Sequence, residues 1–129
     1  MSTNKEGSET MHSIVKRIEK DGKVYHDITL TRGDSFPIQL SLKKNEEPYI
    51  PDPAASIRFA MKAKYTDSDA NVVLLKTVPV GTLLLEIDPE DTKQLPMKKT
   101  YVYDIQLTDE NGFVDTFIEG KFTIGEEVI

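Results

Sequence analysis

From Ile14 to Ile124 the chain alternates apolar and polar residues with a period of two, and this pattern constrains the fold most. Successive side chains of an extended strand point to opposite faces, so such alternation marks strands with one dry face. Phe36, Ile38, Leu40 and Leu42 make one such face, with Pro37, Gln39, Ser41 and Lys43 opposite. Pro37 has no N–H to donate and belongs near a strand start or an edge. Ile57, Phe59 and Met61 alternate with Arg58, Ala60 and Lys62, and an apolar stretch spans Val72–Val78. Leu83, Leu85 and Ile87 follow the turn at Pro79-Val80-Gly81. Tyr101, Tyr103, Ile105 and Leu107 then run into a turn at Asp109-Glu110-Asn111-Gly112. The return strand carries Ile118, Phe122 and Ile124 on one face. Upstream, Ile14, Lys16 and Ile18 share a face, and Asp21-Gly22 suits a type I′ turn, so residues 13–30 are expected to form a β-hairpin. Residues 43–53 carry three prolines and several charges and are expected to form a loop.

The helix signal is confined to one short connector over residues 89–95. Asp88 suits the N-cap, Pro89 the first helical position, Glu90 and Asp91 the first turn, and Pro96 the stop. No helical segment is long enough to cross over a parallel sheet. About seven to eight strands with regular turn signals therefore predict an all-β, antiparallel, two-layer β-sandwich, with a small β-barrel as the structural alternative. The polar stretch 1–12 lacks the apolar surface to offset its ordering entropy and is expected to be a disordered tail, leaving 13–129 as one domain.

Composition narrows the function classes. Sixteen basic against twenty-two acidic residues give a net charge of −6, which argues against a sequence-independent grip on nucleic acid or an anionic membrane. There is no cysteine, so disulfides, thiolate metal sites and sulfur nucleophiles are excluded, and two histidines are few for a metal site. No apolar run approaches the roughly twenty residues that span a bilayer. The N-terminal stretch also lacks the apolar core of a signal peptide.

No constellation supports catalysis. Ser35 follows Asp34, but no nucleophile elbow is present, and His26 lies on the Val24/Ile28 face as a half-buried structural residue. His12, in the tail, has no evident fixed partner. Glu86 and Asp88 are two apart on a solvent face, which is the default place for acids rather than a hydrolytic pair. Asp67-Ser68-Asp69-Ala70-Asn71 matches the start of a calcium loop, yet Val72 stands where Gly is needed and Val78 where Glu is needed. Arg32-Gly33-Asp34-Ser35 spells an integrin-recognition sequence, but between two closely spaced strands it is read as a turn with Gly33 at positive φ. No enzymatic activity, catalytic residue, cofactor or metal is therefore expected.

Three segments carry a resemblance. They are Thr31-Arg32-Gly33-Asp34 running into Phe36-Pro37-Ile38, then Ala55 to Lys62, and finally Asp88 to Thr92 followed by Tyr101–Thr108 and Gly120–Ile124. In order and spacing they resemble the immunoglobulin-like N-terminal domains of baseplate upper proteins from tailed phages and prophages of Gram-positive bacteria. The resemblance implies an immunoglobulin-like sandwich acting as a virion structural module of the tail or baseplate. It would be made in the bacterial cytoplasm and would dock onto other tail or baseplate proteins, with a homo-oligomer also admitted. Those proteins continue into a helical and a distal portion that binds receptors, whereas this chain stops at Ile129, so assembly is expected rather than receptor binding. The expected protein-contact residues are Arg32, Asp34, Tyr49, Tyr65, Phe113 and Phe117. The same aromatics motivate an alternative, a carbohydrate- or cell-surface-binding sandwich, which needs them exposed on one face.

Overall fold

The computed structural model describes residues 12–18, 22–95 and 99–125. Ten strands are present among them: β1 (His12–Arg17), β2 (Val24–Tyr25), β3 (Ile28–Thr31), β4 (Phe36–Lys44), β5 (Glu47–Pro48), β6 (Ser56–Lys62), β7 (Leu74–Val78), β8 (Leu84–Ile87), β9 (Lys99–Thr108) and β10 (Val114–Gly125). One helix, α1 (Pro89–Lys93), connects β8 to β9. The strands form two sheets, and the all-β, two-layer sandwich expected from the alternation is what the chain adopts. In one sheet β4 is flanked by β1 on one side and by β8 and β5 on the other. In the second, β10 has β2 and β3 on one side and β9, β6 and β7 in succession on the other, which makes β9 the central strand.

The inward faces meet in one core. Ile38, Leu40, Leu85 and Ile87 come from the first sheet, and Phe59, Tyr103, Ile105 and Phe122 from the second. Phe59 stacks on Tyr103 with centroids 5.4 Å apart, and Phe122 meets both rings edge-on at 5.8 and 6.2 Å. Such aromatic contacts add about 0.5–1.5 kcal/mol each beyond area burial. The three rings thus pin β6, β9 and β10 in register.

Two expectations change. Residues 13–30 do not form a hairpin. β1 lies in the first sheet, parallel to β4, with Ile14 beside Leu40. β2 and β3 lie in the second, parallel to β10. Alternation identifies a strand's dry face but not its partner, and here consecutive strands edge opposite layers. The sandwich is consequently mixed rather than wholly antiparallel. The Asp21-Gly22 turn and the proline stop at Pro96 involve residues outside the described ones, as does the expected tail apart from His12, which opens β1.

The second change lies in 43–53, where a tight hairpin replaces the expected featureless loop. Asn45 and Glu46 both take positive φ (55° and 66°), and Lys43 faces Pro48 across β4 and β5. Two consecutive left-handed residues give the twist of a type I′ connection, a geometry for which Asn-Gly is the usual sequence. Lys16 shows a further consequence of strand period. It points inward with Ile14, is 5% exposed, and its ammonium donates to the Gly22 carbonyl, so the aliphatic stem is buried while the charge finds an oxygen.

Candidate functional site

Arg32 and Asp34 occupy the turn between β3 and β4, and its geometry is structural. Gly33 has φ 87°, and the Asp34 N–H donates to the Thr31 carbonyl at 3.0 Å. The Arg32 guanidinium does not project. Its Nε donates to the Leu95 carbonyl at 3.2 Å and a terminal nitrogen to the Lys93 carbonyl, capping the C-terminal end of α1. The Gly33 N–H donates to Oγ1 of Thr92, a fully buried residue, at 2.8 Å, and the Arg32 N–H to the Gly125 carbonyl at 3.1 Å. This turn therefore ties α1 to the end of β10. At the other end of α1 the Asp91 carboxylate accepts the Asp88 N–H at 2.7 Å and Lys76 Nζ at 2.8 Å. Burial disfavours the Lys76 ammonium, and hydrogen bonds to Asp91 and Asp88 outweigh it and raise its pKa. The acid at 91 thus serves the helix start, while the Asp88 carboxylate lies 3.3 Å from Lys76 Nζ.

The four aromatics expected to make contacts do not share one surface. Phe117 is 3% exposed and belongs to the core, which corrects its assignment to an outer face. The register of β10 against β9 shifts between Thr116 and Ile118, and this bulge turns both Phe117 and Ile118 inward. Tyr49 is half-buried against the core, with Lys44 Nζ 5.9 Å from its ring centroid. Tyr65 lies over the outside of the second sheet and donates its hydroxyl to the Gly120 carbonyl at 3.3 Å. Burial raises its pKa, and the negative charges of Glu119 and Asp104 add to this. Phe113 alone projects freely, 74% exposed at the tip of the β9–β10 hairpin beside Val114 at 60%.

That tip is braced. The Asp109 carboxylate accepts the N–H groups of Asn111 and Phe113 at 2.9 and 3.0 Å. The Asp109 N–H donates to the Phe113 carbonyl at 2.9 Å, and Gly112 takes φ 88°. Asp followed by a left-handed Gly three residues later was the sequence signal for this turn, and its side chain adds the clamp.

Several features escaped the sequence reading. His12 does have a partner: its Nε2 lies 2.6 Å from Nε2 of His26, and its ring is 5.5 Å from Phe36. Burial, and then the proximity of His26, lower its pKa. On the outside of the second sheet one register row runs Tyr25, Glu119, Asp104, Ala60, Leu75, exposing Tyr25 and Leu75 at its ends. In the first sheet, β8 pairs with β4 only as far as Gln39 and β5 only from Lys43. The interruption leaves a cavity of about 220 Å³ lined by Leu40, Leu42, Tyr49, Ile50 and Leu83, among others. Alternation predicted each of these strands, but a gap between two partners of one strand has no sequence signature. The Asp67–Asn71 segment forms a turn and a single 3₁₀ turn, in which Lys62 Nζ donates to the Asp67 carbonyl at 3.1 Å.

No protein-family model and no curated protein sequence matches the chain. Among solved structures it is similar to the N-terminal domain of phage TP901-1 ORF48, with a TM-score of 0.47 and 14% identity over 93% of this chain and 100% of that one. It is also similar to the bradyzoite-specific antigen BSR4 from Toxoplasma gondii, with a TM-score of 0.35 and 14% identity, and there the match spans 51% of the other chain.

Proposed function

We propose that this chain is a non-enzymatic structural module of a phage or prophage virion, acting in the tail or baseplate by docking onto other chains. The docking role rests on the braced hairpin tip, which holds Phe113 and Val114 in solvent by a carboxylate clamp. Leaving two large apolar side chains exposed on a rigid support forgoes their burial, about 1.5–3 kcal/mol each, which a partner surface would recover. Preordering the tip lowers the entropy lost on contact.

The phage setting rests on the sequence resemblance, and the positions of its residues support it. The first and third resembling segments meet in one junction, where Arg32 and Gly33 bond to α1 and to the end of β10. In this reading the junction is the rigid frame and the β9–β10 tip is the contact. The partners are other tail or baseplate proteins, and the chain is carried in the virion.

The test is capture of tail proteins encoded beside this chain by the purified protein, with the Phe113→Ser variant in parallel. Binding of at least one tail protein, weakened by Phe113→Ser, is the expected result. Failure to bind any of them, together with absence of the chain from purified virions, would overturn the proposal.

A further inference from the structure

We infer that Asn111 is a site of spontaneous deamidation and that the Asp109 clamp holds this reaction back in the folded chain. This is a covalent change within the chain, and it depends on neither the virion nor the docking reading. The asparagines of the chain, Asn4, Asn45, Asn71 and Asn111, precede Lys5, Glu46, Val72 and Gly112, so only at Asn111 does the following residue lack a side chain. A glycine amide has no Cβ to keep its nitrogen away from a neighbouring group. Asn111 and Gly112 are both exposed, and nothing lies within 4 Å of a Cβ built on Gly112, so water and hydroxide reach the site.

The reaction is an intramolecular acyl transfer. Hydroxide takes the proton of the Gly112 N–H, and the nitrogen then attacks Cγ of Asn111. The new N–C bond closes a succinimide ring as Nδ2 departs. That nitrogen takes a proton from water and leaves as ammonia, which regenerates the hydroxide. One water then opens the ring at either carbonyl, giving aspartate or isoaspartate. Both products add a negative charge beside Phe113, and isoaspartate also lengthens the main chain by one carbon inside the turn.

In the fold these atoms are kept from attack geometry. Ring closure needs rotation about the Cα–C bond of Asn111, which swings the Gly112 nitrogen over Cγ. The amide groups on both sides of that bond are tied to one residue. The Asn111 N–H donates to Asp109 Oδ1 at 2.9 Å, and the Gly112 N–H donates to the Asp109 carbonyl at 3.0 Å. The Phe113 N–H adds a second bond to the same Oδ1 at 3.0 Å. Rotation therefore breaks a hydrogen bond, and the proton to be removed is itself engaged. Bonds to a carboxylate are roughly twice as strong as neutral ones, so Asp109 carries much of the resistance to opening. Neighbours in sequence gain rate from proximity only when they are also oriented for attack, and here the reaction has to wait for the tip to open.

Incubation of the full chain at mildly alkaline pH, folded and in guanidinium chloride, tests this. Tandem mass spectrometry places each amide-to-acid mass gain, and enzymatic methylation reports isoaspartate. In denaturant Asn111 should react first among the asparagines. In the folded chain it should react at least roughly tenfold more slowly than in denaturant. Asp109→Ala removes the carboxylate and should recover most of that lost rate, whereas Asp109→Asn keeps one acceptor oxygen and should stay nearer the native chain. Thermal melts followed by circular dichroism show which variants are folded during incubation. Where Asp109→Ala is not, Asp109→Ser takes its place: its hydroxyl is a weaker acceptor, and it should react faster than Asp109→Asn. Three results would each overturn the inference: a folded chain that reacts at Asn111 as fast as the denatured one, an Asp109→Ala chain (or Asp109→Ser in its place) no faster than native, or faster reaction at Asn4, Asn45 or Asn71 in denaturant.

Discussion

Replacing Gly120 with alanine is expected to damage this fold more than its size suggests. A Cβ built on Gly120 falls 2.0 Å from the His26 carbonyl oxygen and 2.6 Å from its carbon, with Asp27 Oδ1 at 3.1 Å. Carbon and carbonyl oxygen approach to about 3.3 Å even in close sheet contacts, so His26 would have to withdraw by about 1.3 Å. The obstacle is backbone, and no rotamer change relieves it. Three hydrogen bonds depend on that backbone staying in place. They run from the His26 N–H to the Glu119 carbonyl (2.8 Å), from the Lys121 N–H to Asp27 Oδ1 (2.9 Å), and from the Tyr103 hydroxyl to the His26 carbonyl. Overpacking costs about 1–3 kcal/mol, and each net hydrogen bond contributes about 0.5–1.5 kcal/mol. With partial relaxation the loss should be about 3 kcal/mol, which lowers the melting midpoint by roughly 10 °C for a domain of this size. Urea and thermal unfolding followed by circular dichroism measure it. Gly81→Ala is the control, since nothing lies within 4 Å of its added Cβ, and it should change stability by less than about 1 kcal/mol. Tyr103→Phe completes a double-mutant cycle. Alone it should cost about 1 kcal/mol, and in the Gly120→Ala background much less, because the acceptor has already moved. A Gly120→Ala protein within about 0.5 kcal/mol of the native chain, or a Tyr103→Phe cost undiminished beside it, would refute the reasoning.

Other outcomes follow from the same geometry. Thr92→Val keeps the volume but strands the Gly33 N–H beside a fully buried side chain, so urea unfolding should show a loss of about 1–3 kcal/mol. Phe117→Ala should cost about 3–5 kcal/mol as a core truncation, while Phe113→Ala should leave the midpoint almost unchanged, and equal effects would contradict the bulge in β10. For pH, the His12 pKa is lowered in the fold from 6.5, so as pH falls the unfolded chain takes up the proton first. Stability is then complete above about 6.5 and is lost as pH falls through the folded pKa. Urea midpoints between pH 8 and 5 should decline for the native chain and decline less for His12→Gln. A proton-resonance titration of His12 with a midpoint at or above 6.5 would reverse the sign and refute the assignment.

Much of this architecture was legible in the chain because each side chain reports its own environment. Leu40, Phe59, Tyr103 and Phe122 are buried where period-two alternation places them, and Pro37 sits at the second position of β4. Turn chemistry was equally local: Gly33 and Gly112 take positive φ where the turns need it. Alternation breaks wherever one residue is inserted, as at Phe117, which is why a core residue read as a surface one. Tyr49 and Tyr65 were identified as accessible aromatics, but their ring and hydroxyl partners, Lys44 and Gly120, became visible only in three dimensions.

What the sequence determined alone was the strand class, the dry faces and the turn positions, since these depend on residues one to four apart. Tertiary structure decided the partners. β1 and β2 are separated by a short connection yet enter opposite sheets, His12 finds His26, and β4 exchanges β8 for β5 as its neighbour between Gln39 and Lys43. Pairing is chosen by burial summed over both layers, a quantity no local window contains. The alternation that dominates this chain therefore specifies two dry faces, while the packing between them decides which strands share a sheet.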